Sequence, residues 1–65
     1  MQLNIGNKIK TLRKQRGITQ EQLADAIGIS FQAVSKWENG IALPDIMLAP
    51  ALASYFGISM DDLFD

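Results

Sequence analysis

The chain has 65 residues, a formal net charge of −1, and neither cysteine nor histidine, so it can build one small core and lacks disulfide, thiolate and imidazole chemistry and the usual zinc-ligand sets. Its charge is divided: residues 1–16 hold five of the six basic residues and no acid, whereas residues 45–65 hold four of the seven acids and no base, so a phosphate-facing side can exist on a chain that is not basic overall. No stretch at the start is apolar for long enough to be a signal peptide or a membrane span, and a cytoplasmic protein of one domain, residues 1–65, is expected.

A first helix is predicted over residues 5–16, with Ile5, Ile9 and Leu12 on one face and the basic residues around the other. It stops at Gly17-Ile18, the first of four Gly-Ile dipeptides; the others are at 28–29, 40–41 and 57–58. Glycine followed by an apolar residue marks a helix end, because glycine takes the left-handed conformation and the next residue folds back onto the last turn. Three of the four are followed at once by a hydroxyl residue, Thr19, Ser30 and Ser59, the preferred cap of a new helix. The isoleucine before each cap has an apolar partner at the fourth helical position (Leu23, Val34 and Leu63), the pattern of a hydrophobic staple. Gln22 and Asp62 stand where a capping-box partner belongs.

The second helix is therefore expected over 20–27, burying Leu23, Ala24 and Ile27, and the third over 31–39, burying Val34 and Trp37 with Ala33 at the margin. Asp45 can cap a turn over 46–49. A fourth helix over about 50–56 would keep Pro50 in its first turn, where the missing amide and the ring do no harm, and would bury Leu48, Leu52, Ala53 and Phe56. A short fifth helix over 60–64 closes the chain. The expected class is all-α, a compact arrangement of five helices.

Two short helices joined by a tight glycine turn form the supersecondary unit that can lay its second helix in a DNA major groove. Residues 19–39 meet its demands: Ala24 is small enough for a close helix crossing, Gly28 tolerates the turn, and Val34 and Trp37 anchor the second helix from within. At about 100° per residue, Gln32, Ser35 and Lys36 project outward, with Phe31 at one flank. Gln32 can pair with adenine, Lys36 can donate to guanine, and Ser35 can donate or accept. Phe31 either touches a thymine methyl or packs on its neighbours. No carboxylate lies from Ser30 to Lys36 to repel phosphates from the helix start and its free amides, where Ser30 stands.

Four segments, Ile9-Lys10-Thr11-Leu12-Arg13, Thr19-Gln20-Glu21-Gln22-Leu23-Ala24, Val34-Ser35-Lys36-Trp37-Glu38-Asn39-Gly40 and Tyr55-Phe56-Gly57-Ile58-Ser59, resemble the helix-turn-helix domains of phage repressors of the lambda and Cro type and their bacterial relatives. The resemblance runs from Ile5 to Phe64; Pro50 departs from the commonest pattern. It implies a lambda-repressor-like fold with the helix-turn-helix at helices two and three. It also implies that Gln20, with Thr19 beside it, holds a phosphate, and that Arg13 pairs with Glu38 close to the sugar-phosphate backbone. Asn39 and the loop over 40–43 would hold the next phosphates through main-chain amides.

The expectation is a transcriptional regulator, a repressor, that binds double-stranded DNA at a palindromic operator and so sits on the nucleoid. Its base contacts would be Phe31, Gln32, Ser35 and Lys36, and its backbone contacts Arg13, Thr19, Gln20, Ser30 and Asn39. Less specific explanations stand beside these. Trp37 shares a face with Val34 and reads as core, Lys8, Lys10 and Lys14 as a solvated face, and Arg13 with Glu38 either as that phosphate-side pair or as an ordinary surface pair. Met47, Met60, Leu63 and Phe64 either pack on the first and fourth helices or make a two-fold homodimer contact. The competing function is an antitoxin or adaptor of the same fold whose main partner is a protein, suggested by the acidic final third. Asp61 and Asp62 are explained as favourable charges at a helix start. No nucleophile and base are paired, so no enzyme, cofactor, metal, membrane or small-molecule ligand is expected.

Overall fold

The computed structural model describes residues 4–64. Every regular element among them is helical: α1 (Ile5–Gln15), α2 (Gln20–Ile27), α3 (Phe31–Glu38), a 3-10 turn (Ile46–Leu48), α4 (Ala49–Phe56) and α5 (Met60–Phe64). Local cap chemistry sets these limits. At each Gly-Ile dipeptide the glycine has a positive φ, and the isoleucine amide donates to the carbonyl five residues earlier: Ile18 to Arg13 (3.2 Å), Ile29 to Ala24 (3.0 Å), Ile41 to Lys36 (2.9 Å) and Ile58 to Ala53 (3.0 Å). That bond closes the orphan carbonyls of a last turn. Thr19 Oγ1 accepts from the Gln22 amide at 3.0 Å while Gln22 Oε1 accepts from the Thr19 amide at 2.8 Å, a complete capping box. Ser30 Oγ accepts from the Ala33 amide at 3.4 Å, and Ser59 Oγ from the Asp62 amide at 3.0 Å.

Pro50 occupies the second position of α4, where its missing amide has no helical partner to lose. The preceding turn is capped by Asp45, whose carboxylate accepts from the Met47 amide at 2.9 Å.

The core gathers Ile5 and Ile9 of α1, Leu23 and Ala24 of α2, Val34 and Trp37 of α3, Ala49, Leu52, Ala53 and Phe56 of α4, and Leu63 of α5. Leu12, Ile27 and Leu48, expected inside, are only half-buried and pack against its rim. Each lies in the last turn or so of a short element, where fewer neighbours surround it.

α3 packs on both α2 and α1. The second contact is close because Gly6 lies at it: a Cβ there would overlap the carbonyl oxygen of Trp37. At the other end of α1, the Arg16 guanidinium stands over the rings of Tyr55 and Phe56, 5.4 and 5.7 Å from their centroids, and ties α1 to α4.

Candidate nucleic-acid interface

α3 is held from within and open without. Val34 and Trp37 are 0% and 5% exposed, whereas Gln32 and Lys36 are exposed and Phe31 is 46% exposed. Ser35 is half-buried, and its Oγ accepts from Asn39 Nδ2 at 3.3 Å. The start of α3, capped by Ser30, has no acid in its first turn.

The starts of α2 and α3 face one another. Between them lies an open hollow lined by Arg13, Ile18, Thr19, Gln20, Glu21 and Phe31, which brings Thr19 and Gln20, expected at the DNA backbone, beside Phe31, expected at the bases. Glu21 also lines the adjoining hollow with Ser30, Phe31 and Gln32. That carboxylate was not among the sequence candidates. The search for acids within α3 alone could not find it, since only the crossing of the two helices brings it alongside.

The last residue of α3 is tied to both preceding helices. Arg13 Nε donates to Glu38 Oε2 at 2.7 Å and Nη2 to Oε1 at 2.9 Å; Gln20 Nε2 donates to the same Oε1 at 3.1 Å. The Arg13 and Glu38 side chains are 13% and 2% exposed, so the pair is not the ordinary surface ion pair weighed from sequence. Burial by itself pushes the Glu38 carboxyl up; the hydrogen bonds from Arg13 and Gln20 and the charges of Arg13 and Lys10 outweigh it and hold the group below its ordinary value. The bond to Glu38 holds the Arg13 guanidinium above its own, against desolvation. Arg13 Nη1 donates to the Ile18 carbonyl at 2.9 Å. All three guanidinium nitrogens are thus engaged inside the protein, and Arg13 is placed to hold α3 against α1.

Beyond α3, the Gly40 amide donates to the Trp37 carbonyl at 3.2 Å, and the Ile41 and Ala42 amides to that of Lys36 at 2.9 and 3.3 Å. These three amides are thus engaged in closing α3. A hollow of about 300 Å³ lies here, with Asn4 and Asn7 of the α1 start opposite Asn39 and Gly40. Asn4 and Asn7 were not sequence candidates. Two asparagines flanking Gly6, all poor helix formers at the start of a helix, were the available signal. Among the described residues no group of three acidic side chains is placed to hold a metal ion, and no helix is long and apolar enough to cross a membrane.

The helix-turn-helix family model matches residues 9–63. The chain belongs to this family. It is the Cro and C1 type, a family of DNA-binding transcription regulators. Among similar proteins are YgzD, an HTH-type transcriptional regulator of Bacillus subtilis, 36% identical over 58 residues (89% of this chain and 88% of YgzD), and the HTH-type transcriptional activator BcrR of Enterococcus faecalis, 33% identical over 61 residues. The latter match covers 94% of this chain but 30% of BcrR. The crystal structure of the P22 c2 repressor in complex with a synthetic operator superposes with a TM-score of 0.88 at 32% identity, covering 100% of this chain and 97% of that one. In this helix-turn-helix chain α2 and α3 are the motif, and α1, α4 and α5 hold it.

Proposed function

We propose that this helix-turn-helix domain, residues 1–65, is a transcriptional repressor that reads a palindromic operator with two copies and blocks a promoter on the nucleoid, without a cofactor. α3 enters the major groove. Gln32 and Lys36 pair with base edges, Ser35 donates or accepts beside them, and Phe31 meets a thymine methyl. Thr19, Gln20, Ser30 and Asn39 bind phosphates and set the register. Arg13 acts behind them, through Glu38, by holding the end of α3.

The observation that carries this proposal is the division of α3: an inner face locked by Val34, Trp37 and Glu38, and an outer face of exposed amide and ammonium groups with no acid in its first turn. The operator complex of the P22 c2 repressor, which shares the fold, supports it.

Selection of bound duplexes from a random pool, followed by Lys36→Ala and Gln20→Ala on the preferred duplex, tests it. Loss of Lys36 should relax preference at one base pair at a cost of about 1–3 kcal/mol, whereas loss of Gln20 should weaken all sequences about equally. The reverse pattern would refute the division of roles. A pool with no preferred duplex at low salt would instead favour a protein partner.

A further inference from the structure

Of the three asparagines in the chain, Asn4 and Asn7 precede isoleucine and lysine, and Asn39 alone precedes a glycine. Asparagine is chemically labile, because the main-chain nitrogen of the next residue can attack its carboxamide carbon. A side chain on that residue shields the nitrogen; Gly40 has none, and the space where one would lie is open. Asn39 and Gly40 are both exposed and line the hollow opposite Asn4 and Asn7, so water reaches them. Asn7 differs: the nitrogen after it, that of Lys8, is inside α1 and donates to the Asn4 carbonyl at 2.9 Å.

The cap that carries Asn39 is also the least anchored of the four glycine ends. Ile18, Ile29 and Ile58 pack against the core, whereas Ile41 is 72% exposed, so the hydrophobic contact that ordinarily accompanies such a cap is missing. The Gly40 amide reaches the Trp37 carbonyl at 3.2 Å, and the Asn39 carboxamide is held by a bond of 3.3 Å from Nδ2 to Ser35 Oγ. With Asn39 at ψ 1°, the closed cap keeps the Gly40 nitrogen turned away from Cγ. Reaction therefore starts from the opened cap, and helix ends with few buried contacts open at little cost.

We propose that Asn39 deamidates spontaneously through Gly40 and that the acid formed there switches off DNA binding. The Gly40 nitrogen bonds to Asn39 Cγ and gives its proton to solvent; the bond from Cγ to Nδ2 breaks, and Nδ2 takes up a proton and leaves as ammonia. Water then opens the cyclic imide at either carbonyl, leaving aspartate or isoaspartate. Amide and water have become acid and ammonia, with nothing oxidised or reduced. The donor assigned to a phosphate is lost, and a carboxylate stands at the end of α3, where the helix dipole disfavours it and phosphates repel it. Isoaspartate also adds a carbon to the main chain between α3 and its loop. A duplex that holds Asn39 on a phosphate keeps the cap closed, so unbound chains convert first. The inference rests on the proposed DNA reading for this consequence alone; the modification follows from the cap.

Incubation of the whole chain at neutral and mildly alkaline pH, followed by separation of species by charge and mass mapping, tests it. Acidic species should accumulate with the change at Asn39 and not at Asn4 or Asn7, as a mixture of aspartate and isoaspartate, faster at the higher pH. The folded chain should convert no more than about a hundredfold more slowly than the chain in urea, and Ser35→Ala should convert faster than the parent. The purified converted chain should bind the selected duplex at least about tenfold more weakly than the parent. Asn39→Asp, which carries the charge without the extra carbon, should share that loss, and saturating duplex should slow conversion of the parent. A folded chain that stays intact while the chain in urea converts, or equal conversion at all three asparagines, overturns the site. Converted and Asn39→Asp chains that bind like the parent overturn the switch. If the parent binds no duplex, the DNA reading and the switch fall together, while the mass measurement still decides the site.

Discussion

Glu38 is a buried carboxylate at the last residue of α3, the end of a helix where the backbone dipole disfavours negative charge. Three donors from two other helices make it tolerable, so its ionisation and the docking of α3 are linked. Because the folded carboxyl titrates below its ordinary value of 4.5, its contribution to stability is complete above that value and is lost as pH falls through the lower folded one. Glu38→Gln should lower stability at neutral pH by about 3 kcal/mol, the lower end for breaking a buried pair because Arg13 keeps some exposure. It should also flatten the acid limb; urea unfolding at a series of pH values measures both, and parallel limbs would dissociate Glu38 from the acid transition. Glu21, alone of the acids, lines both hollows at the start of α3. Glu21→Gln should tighten binding to all duplexes by a few-fold, as measured by fluorescence anisotropy, because it removes a repulsion that carries no sequence information.

At the scale of elements, the caps and the crossings have different origins. The capping box of Thr19 and Gln22 and the four glycine ends are satisfied within five residues of chain, and each was visible in the sequence for that reason. The α1 to α3 contact is not of this kind. Gly6 looks unfavourable in a helix, by about 1 kcal/mol relative to alanine, and its reason becomes plain only where the Trp37 carbonyl meets it. Gly6→Ala, stabilising in an isolated helix, should therefore destabilise this protein by about 1–3 kcal/mol, the range for overpacking a close contact. A midpoint of urea unfolding that rises instead would show that α1 can retreat from α3 freely.

Over the whole molecule, the basic first segment is less of a phosphate-facing surface than its charge suggests. Arg13 is engaged with Glu38 and Arg16 with two aromatic rings, which leaves Lys8, Lys10 and Lys14 of that segment to attract phosphates at a distance. Affinity for the selected duplex should fall on the order of tenfold to a hundredfold between about 50 and 200 mM salt, less steeply than for proteins that neutralise more phosphates; a salt-independent affinity would point to a protein partner. Sequence by itself determined the five helices, their ends to within a residue, the helix-turn-helix and the exposure of Phe31, Gln32 and Lys36 on α3, though not the half-burial of Ser35, because caps and periodicity are local chemistry. Tertiary structure decided what Arg13 and Gln20 do for Glu38, pairs 25 and 18 residues apart, that Glu21 stands beside Phe31, that the loop amides close α3, and that Ile41 faces outward. These depend on which helix lies against which, and no single segment carries that information.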